Sequence, residues 1–263
     1  MPSVLARTFA LLAIALGGHA PPAYAQNVGA GLMDASLVAF VNRSQRTLYI
    51  GFSPQPGRPA PFSWSPDCRR INGQVVLPPG QTCAVSVPPS AGASRFCAME
   101  NLLPPGKTPD CFAAQRDNLT IIEANFASRE GCARLQDNPE SLMRSCVWYD
   151  VNVSPEGCTN AEWSANLCAQ SGGAAYNVPV QLFCAGQPTF TCQGPPATTG
   201  AKYPLKCGAP GADCVGGVDP ACQQAYFFPM STSGPNKYPA SKPQPIARCP
   251  EGQKLFVIFP EGP

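Results

Sequence analysis

The chain has 263 residues, a formal net charge of +2, 13% charged residues, 32 prolines and 14 cysteines. So weak a charge supplies no long-range field for nucleic acid or an anionic membrane. The only histidine, His19, lies in the N-terminal segment, so a Ser-His-Asp or Cys-His mechanism and a histidine metal centre cannot be built from the rest of the chain.

In chain order, residues 1–25 read as a secretory signal peptide. Arg7 gives a basic start, Phe9 to Leu16 ("FALLAIAL") is a short apolar core, and Ala23-Tyr24-Ala25 is an A-x-A cleavage pattern before Gln26. Cleavage would remove His19 with the leader. Residues 26–263 are then long enough for one large all-β domain or two small ones. No later apolar run reaches membrane-spanning length, since "LFVIF" at 255–259 is the size of a strand.

All 14 cysteines lie beyond the leader, and an even number in an exported chain predicts seven disulfides and an oxidising compartment, extracellular or periplasmic. Cys207 and Cys214 are the closest two in sequence, nothing resembles C-x2-C, and no metal or cofactor is expected.

"LVAFVNRSQRTLYIGF" (37–52) predicts two strands flanking a polar turn at Asn42–Arg46, and "GQVVLPPGQTCAVSVPP" (73–89) repeats that form around Pro78-Pro79-Gly80. "NLTIIEANF" (118–126) is a further strand. The segment up to Cys146 has helix-forming composition and reads as a short helix or loop stapled by Cys132 and Cys146. "VWYDVNVS" (147–154) alternates cleanly, with Val147, Tyr149, Val151 and Val153 on one face and Trp148, Asp150 and Asn152 on the other.

A polar excursion follows, closed by Cys158–Cys168, and "YNVPVQLFC" (176–184) returns to strand. Residues 185–221, rich in Gly, Pro, Thr and Cys with little periodicity, predict a disulfide-held loop subdomain. "QAYFFPMS" (224–231) and "KLFVIFP" (254–260) supply the last strands. Many short strands with Gly/Pro turns favour a β-sandwich or flattened barrel. The sequons at Asn42, Asn118 and Asn152 read as chance matches, and Arg69-Arg70 as a solvated pair.

The order of these segments resembles the thaumatin-like proteins, the group that includes pathogenesis-related antifungal proteins of plants. "FVNRSQRTLYIGF" looks like that family's opening strand and hairpin, "LPPGQTCAVSVPP" its proline-glycine turn, and "TIIEANF" its Thr-Leu-Ala-Glu-Phe. "WYDVNV", "YNVPV", "CQQAYFFP" and "CPEGQKLFVIFP" follow in the family's order. The resemblance implies one domain over 26–263, folded as a flattened β-sandwich with the disulfide-rich region 185–221 against it. It departs where typical members pair two cysteines, because those positions are Ser44 and Phe259 here. It also implies Cys184–Cys249, Cys192–Cys222 and Cys207–Cys214. Proximity suggests Cys97–Cys111 and Cys68–Cys83, although spacing alone does not determine connectivity.

Antifungal members line a cleft with an Arg, a Glu and three Asp. The resemblance maps these onto Arg95, Glu123 and Asp150. The second Asp falls in the interrupted segment, where Glu156 or Glu162 is the nearest acid, and Gln224 replaces the third. Two carboxylates on adjacent strands are what a glycosidase needs as proton donor and nucleophile or base. With two acids lost, tuning the donor's pKa is harder. Gln224 can bond a sugar hydroxyl but cannot move a proton.

Binding therefore survives the departures better than hydrolysis. Trp148, Tyr149 and Tyr176 are candidates to stack on sugar rings, although Tyr149 falls on the face opposite Asp150. Arg95, Glu123, Asp150 and Asn152 are candidates for sugar hydroxyls. The plain alternative is that the acids are solvated or salt-bridged strand residues. The expected function is secreted, antifungal-type binding of β-glucan or a related wall polysaccharide by a monomer, with at most weak endo-β-1,3-glucanase activity through Glu123 and Asp150. Two others stand beside it: a protein-binding module that inhibits a hydrolase through 185–221, and a stable secreted scaffold without ligand.

Overall fold

The computed structural model describes residues 35–58, 62–112, 119–128, 145–153, 177–187, 189–192, 246–250 and 252–261. All of them belong to the compact unit spanning 32–263. The strands are β1 Ser36–Asn42, β2 Leu48–Ser53, β3 Ser63–Trp64, β4 Arg70–Ile71, β5 Gln74–Leu77, β6 Thr82–Val87, β7 Gly92–Met99, β8 Ile121–Ser128, β9 Ser145–Asn152, β10 Val180–Cys184, β11 Phe190–Cys192, β12 Ala247–Cys249 and β13 Lys254–Phe259. They form a six-stranded sheet ordered β11-β10-β13-β1-β6-β3 and a seven-stranded sheet ordered β12-β9-β8-β7-β2-β5-β4. The fold is an all-β sandwich, as the segment pattern predicts.

Period-two alternation decides which side of each strand is buried. Val38 and Phe40 of β1, Leu182 of β10, and Leu255, Val257 and Phe259 of β13 share one core with residues of the other sheet. Opposite them stand Ile50 and Phe52 of β2, Phe96 of β7, Ile122, Ala124 and Phe126 of β8, and Val147, Tyr149 and Val151 of β9. Phe96 links the sheets, its ring centroid 5.0 Å from Phe40 and 4.6 Å from Phe52. A fully buried ring of this kind contributes roughly 1.5–3 kcal/mol.

Neither of the two strand–turn–strand segments is a hairpin. β1 and β2 lie in different sheets, and so do β5 and β6, so each turn crosses the sandwich. Asn42 explains how both corners are held. Fully buried, it donates from Nδ2 to the carbonyls of Arg46 and Leu77, both at 2.7 Å. Its Oδ1 accepts from the Ser44 N–H at 2.9 Å and the Ser44 hydroxyl at 2.7 Å. Its carbonyl accepts from Gly80 N–H at 2.7 Å, with Gly80 at φ 73° completing the Pro-Pro-Gly turn. Asn42 is thus a structural bolt, and neither it nor the buried Asn152 is presented as a glycosylation acceptor. Asn118 lies outside the described residues.

Ser44 and Phe259, where the resembled family carries a disulfide, are joined to this corner differently. The Ser44 hydroxyl serves Asn42, while Phe259 is buried in the core and its carbonyl accepts from Arg43 N–H at 2.8 Å.

Cys68–Cys83, Cys97–Cys111 and Cys184–Cys249 are bonded as expected. Cys146 and Cys192 are also in disulfides. Their expected partners Cys132 and Cys222, and the pairs Cys158–Cys168 and Cys207–Cys214, lie outside the described residues, as does 224–231. The reading of 185–221 as loop is corrected at β11, an edge strand paired with β10 from Leu182↔Phe190 to Val180↔Cys192.

The outer face of the seven-stranded sheet is covered over β2, β5 and β7 by the segment after β7. There Cys97, Met99, Cys111 and Ile121 form a second small core with Tyr49, Leu103 and Leu119. Gly51 permits the approach, because a Cβ on it would meet Pro109 Cβ at 2.5 Å and Cys111 Sγ at 3.1 Å. The other half of that face, from β7 across β8 and β9 to β12, bears the polar residues.

Candidate functional site

β7, β8 and β9 are neighbouring antiparallel strands, and their register pairs Arg95 with Glu123 and Glu123 with Asp150. The three side chains therefore share one row on the outer face, with Asn152 and Trp148 on the same side of β9. Directly paired residues hold their Cβ atoms about 4.5–5.5 Å apart, so the two acids are immediate neighbours.

Arg95 Nη2 lies 2.7 Å from Glu123 Oε1, with the two side chains 22% and 29% exposed. Partial solvent screening limits what such a pair adds to stability to about 1 kcal/mol or less. Its effect is geometric. Asn152 Nδ2 donates to the same Glu123 oxygen at 3.3 Å, so the carboxylate is held from two sides. The Arg95 guanidinium also sits 4.7 Å from the centre of the Phe112 ring, which the neighbouring Cys97–Cys111 disulfide anchors beside the sheet.

Asp150 is in a different environment. It is only 7% exposed, and its Oδ1 is buried with no hydrogen-bond partner among the described residues. Burial pushes its carboxyl well above the usual range, the Glu123 charge pushes the same way, and Arg95 opposes both. One acid of the row is thus ion-paired and part-exposed, while the other is buried and biased towards its neutral form.

One row along β9, Trp148 is opposite Asn125 of β8 and Arg248 of β12. The Arg248 guanidinium lies 5.9 Å from the Trp148 ring centre, and burial lowers its pKa. Sequence reasoning did not single out Arg248. Its signal was present in "ARC": Ala247 and Cys249 turn inward, and the Cys184–Cys249 bridge fixes the strand, so Arg248 must turn outward.

Tyr149 is corrected as a stacking candidate. It is fully buried against Phe190 at 5.6 Å, and burial raises its phenol to about 12, a hydrogen bond with the Cys184 backbone opposing. Tyr176, Gln224, Glu156 and Glu162 lie outside the described residues. Asn177 ties the stretch before β10 to the sheet: its Oδ1 accepts from Thr120 N–H at 2.9 Å and its Nδ2 donates to the Ala98 carbonyl at 2.8 Å.

Among the described residues no three His, Cys, Asp or Glu gather as metal ligands, and no helix is long and apolar enough to cross a membrane. No family model matches the chain, and no curated protein matches it. Solved structures align along most of it. The protein elicitor MoHrip2 from Magnaporthe oryzae is 12% identical at a TM-score of 0.37, over 86% of this chain and 98% of that one. The thaumatin-like xylanase inhibitor TLXI is also 12% identical at a TM-score of 0.37, over 84% of this chain and 97% of that one. Likeness at this level assigns neither family nor function.

Proposed function

We propose that the chain is an exported carbohydrate-binding protein of the thaumatin-like type, one domain behind a cleaved leader. In this reading it engages a β-glucan or related wall polysaccharide on the outer face of the seven-stranded sheet, in an antifungal, defence-type role. The observation that carries the reading is the cross-strand row Arg95–Glu123–Asp150, with a guanidinium, an oriented carboxylate and a second acid side by side. Such a row offers donors and acceptors at fixed spacing to successive sugar hydroxyls. Asn152 acts here as a positioning residue for Glu123. The disulfides and the leader pattern support export.

Hydrolysis is weak or absent on the same reading. A proton donor must reach the glycosidic oxygen, whereas Asp150 Oδ1 is buried. The ion pair from Arg95 and the hydrogen bond from Asn152, both on Glu123 Oε1, lower the nucleophilicity of that carboxylate.

Co-sedimentation with insoluble β-1,3-glucan, repeated with Glu123→Ala and Asp150→Ala, tests the binding. Loss of retention in Glu123→Ala supports it, and retention unchanged in both variants removes the row from the surface. Reducing-sugar release from a soluble β-1,3-glucan, compared with the double variant, tests hydrolysis. Inhibition of a hydrolase without any polysaccharide binding would move the function to the protein-binding class.

A further inference from the structure

Three polar atoms on the outer face of β9 and β12 are buried and, among the described residues, without a hydrogen-bond partner: Trp148 Nε1, Asp150 Oδ1 and Arg248 Nη1. Buried polar atoms in folded proteins are overwhelmingly paired, and an orphan carries the desolvation cost of the bond it lacks. These three are not scattered. Arg248 stands directly across from Trp148, and Trp148 and Asp150 are two residues apart on one face of the same strand, about 6.5 Å along it.

The chemistry of the orphans is specific. The indole N–H and the guanidinium N–H are both donors, so neither can satisfy the other. Among the described residues no acceptor is bonded to either donor. The charge of Arg95 is matched by Glu123, whereas among the described residues Arg248 has no acidic partner. The neighbouring carboxyl of Asp150 is biased towards its neutral form, so it does not repel an anion. Trp148 and Arg248 are themselves half-buried, so part of each side chain reaches the surface.

We propose that Trp148, Arg248 and Asp150 form a subsite for the carboxylate of a uronic-acid residue in an acidic saccharide. One carboxylate oxygen accepts from Arg248 Nη1 and the other from Trp148 Nε1, with the Asp150 carboxyl lining the site beside them. Two donors match the two oxygens of a planar carboxylate, whereas a sulfate ester would leave an oxygen without a donor. The proposal rests on the reading of this sheet face as a carbohydrate surface. It narrows the substrate class from neutral glucan to an acidic wall polysaccharide.

The test measures binding of trigalacturonate, a sulfated glucan oligosaccharide and laminaritriose to the full mature chain by calorimetry at low salt. Wild type, Arg248→Gln, Trp148→Phe and Glu123→Gln are compared. The expected result is binding of trigalacturonate, weakened roughly tenfold or more in Arg248→Gln and in Trp148→Phe, which keeps the ring and removes only the N–H. The ratio of trigalacturonate to laminaritriose affinity should fall in Arg248→Gln and not in Glu123→Gln. Circular dichroism and free-thiol titration verify folding, and Arg248→Lys, which keeps the charge, should recover part of the loss. Undetectable trigalacturonate binding, equal affinity in wild type and Arg248→Gln, or preference for the sulfated glucan overturns the subsite. Laminaritriose binding that depends on Glu123 without any response to galacturonate overturns the subsite and leaves the glucan reading intact. Galacturonate binding that depends on Arg248 but is accompanied by no glucan binding does the reverse.

Discussion

Replacing Asp150 by Asn isolates the cost of a buried carboxyl in the row. In the native protein burial and Glu123 raise its pKa, with Arg95 in partial opposition, while in the unfolded chain an Asp titrates near 3.9. Between those two values the native state holds a proton that the unfolded state has released, so stability falls as pH rises. The favourable contribution is complete below the unfolded pKa and is lost as pH climbs through the native one. One proton corresponds to a slope of at most about 1.4 kcal/mol per pH unit. Asn carries no titrating proton and lacks this slope. The stability of Asp150→Asn relative to wild type should therefore grow from pH 4 upward and level off above the native pKa. For a chain of this length each kcal/mol is worth about 2–4 °C, which gives roughly 3–6 °C per pH unit inside the window. Urea unfolding with disulfides intact, at unit steps from pH 4 to 7, reads the difference directly, since carboxyls common to both proteins cancel. A gap that stays flat across that range, or one that closes as pH rises, would refute the account of Asp150 as a buried carboxyl biased to its neutral form.

Glu123→Gln removes the anion beside Asp150 and leaves Arg95, so the pH window found above should contract towards acid, measured by the same titration in the double variant. Asn42→Ala strips the bolt from both sheet-crossing corners and leaves the buried Leu77 carbonyl and the part-buried Arg46 carbonyl and Ser44 N–H without this partner, a loss on the order of 3 kcal/mol in urea unfolding. Gly51→Ala drives a methyl into Pro109 and Cys111 and should cost about 1–3 kcal/mol, whereas Gly106→Ala, with open space at its Cβ, should show only the smaller penalty of its positive φ. If Gly51→Ala unfolds at the wild-type urea midpoint, the segment after β7 does not pack there.

Alternation made several strands legible before any coordinates. "VWYDVNVS" assigned Tyr149 and Trp148 to opposite faces, and the structure puts Tyr149 in the core and Trp148 outside. β7 was not anticipated as a strand, although Arg95 was singled out within it. Its "GASRFCAM" offers small residues where strand propensity looks for β-branched ones, and burial between β2 and β8 makes it a strand. β12 is three residues long, and pairing to β9 together with the Cys184–Cys249 bridge supplies what local preference does not.

Composition and pattern alone established the all-β class, the disulfide chemistry, the absence of histidine after His19 and the two faces of β9. Those properties are local, because side-chain type and a period of two suffice to read them. Pairing is not local. Whether a Pro-Pro-Gly turn folds a strand back on its neighbour or sends it across a sandwich depends on contacts tens of residues away, such as Asn42 with Leu77. The same non-local pairing lined up Arg95, Glu123 and Asp150, carried Arg248 to Trp148, and buried one acid while leaving the other part-exposed. Burial decides what a carboxyl can do, and it exists only once the sheets have packed.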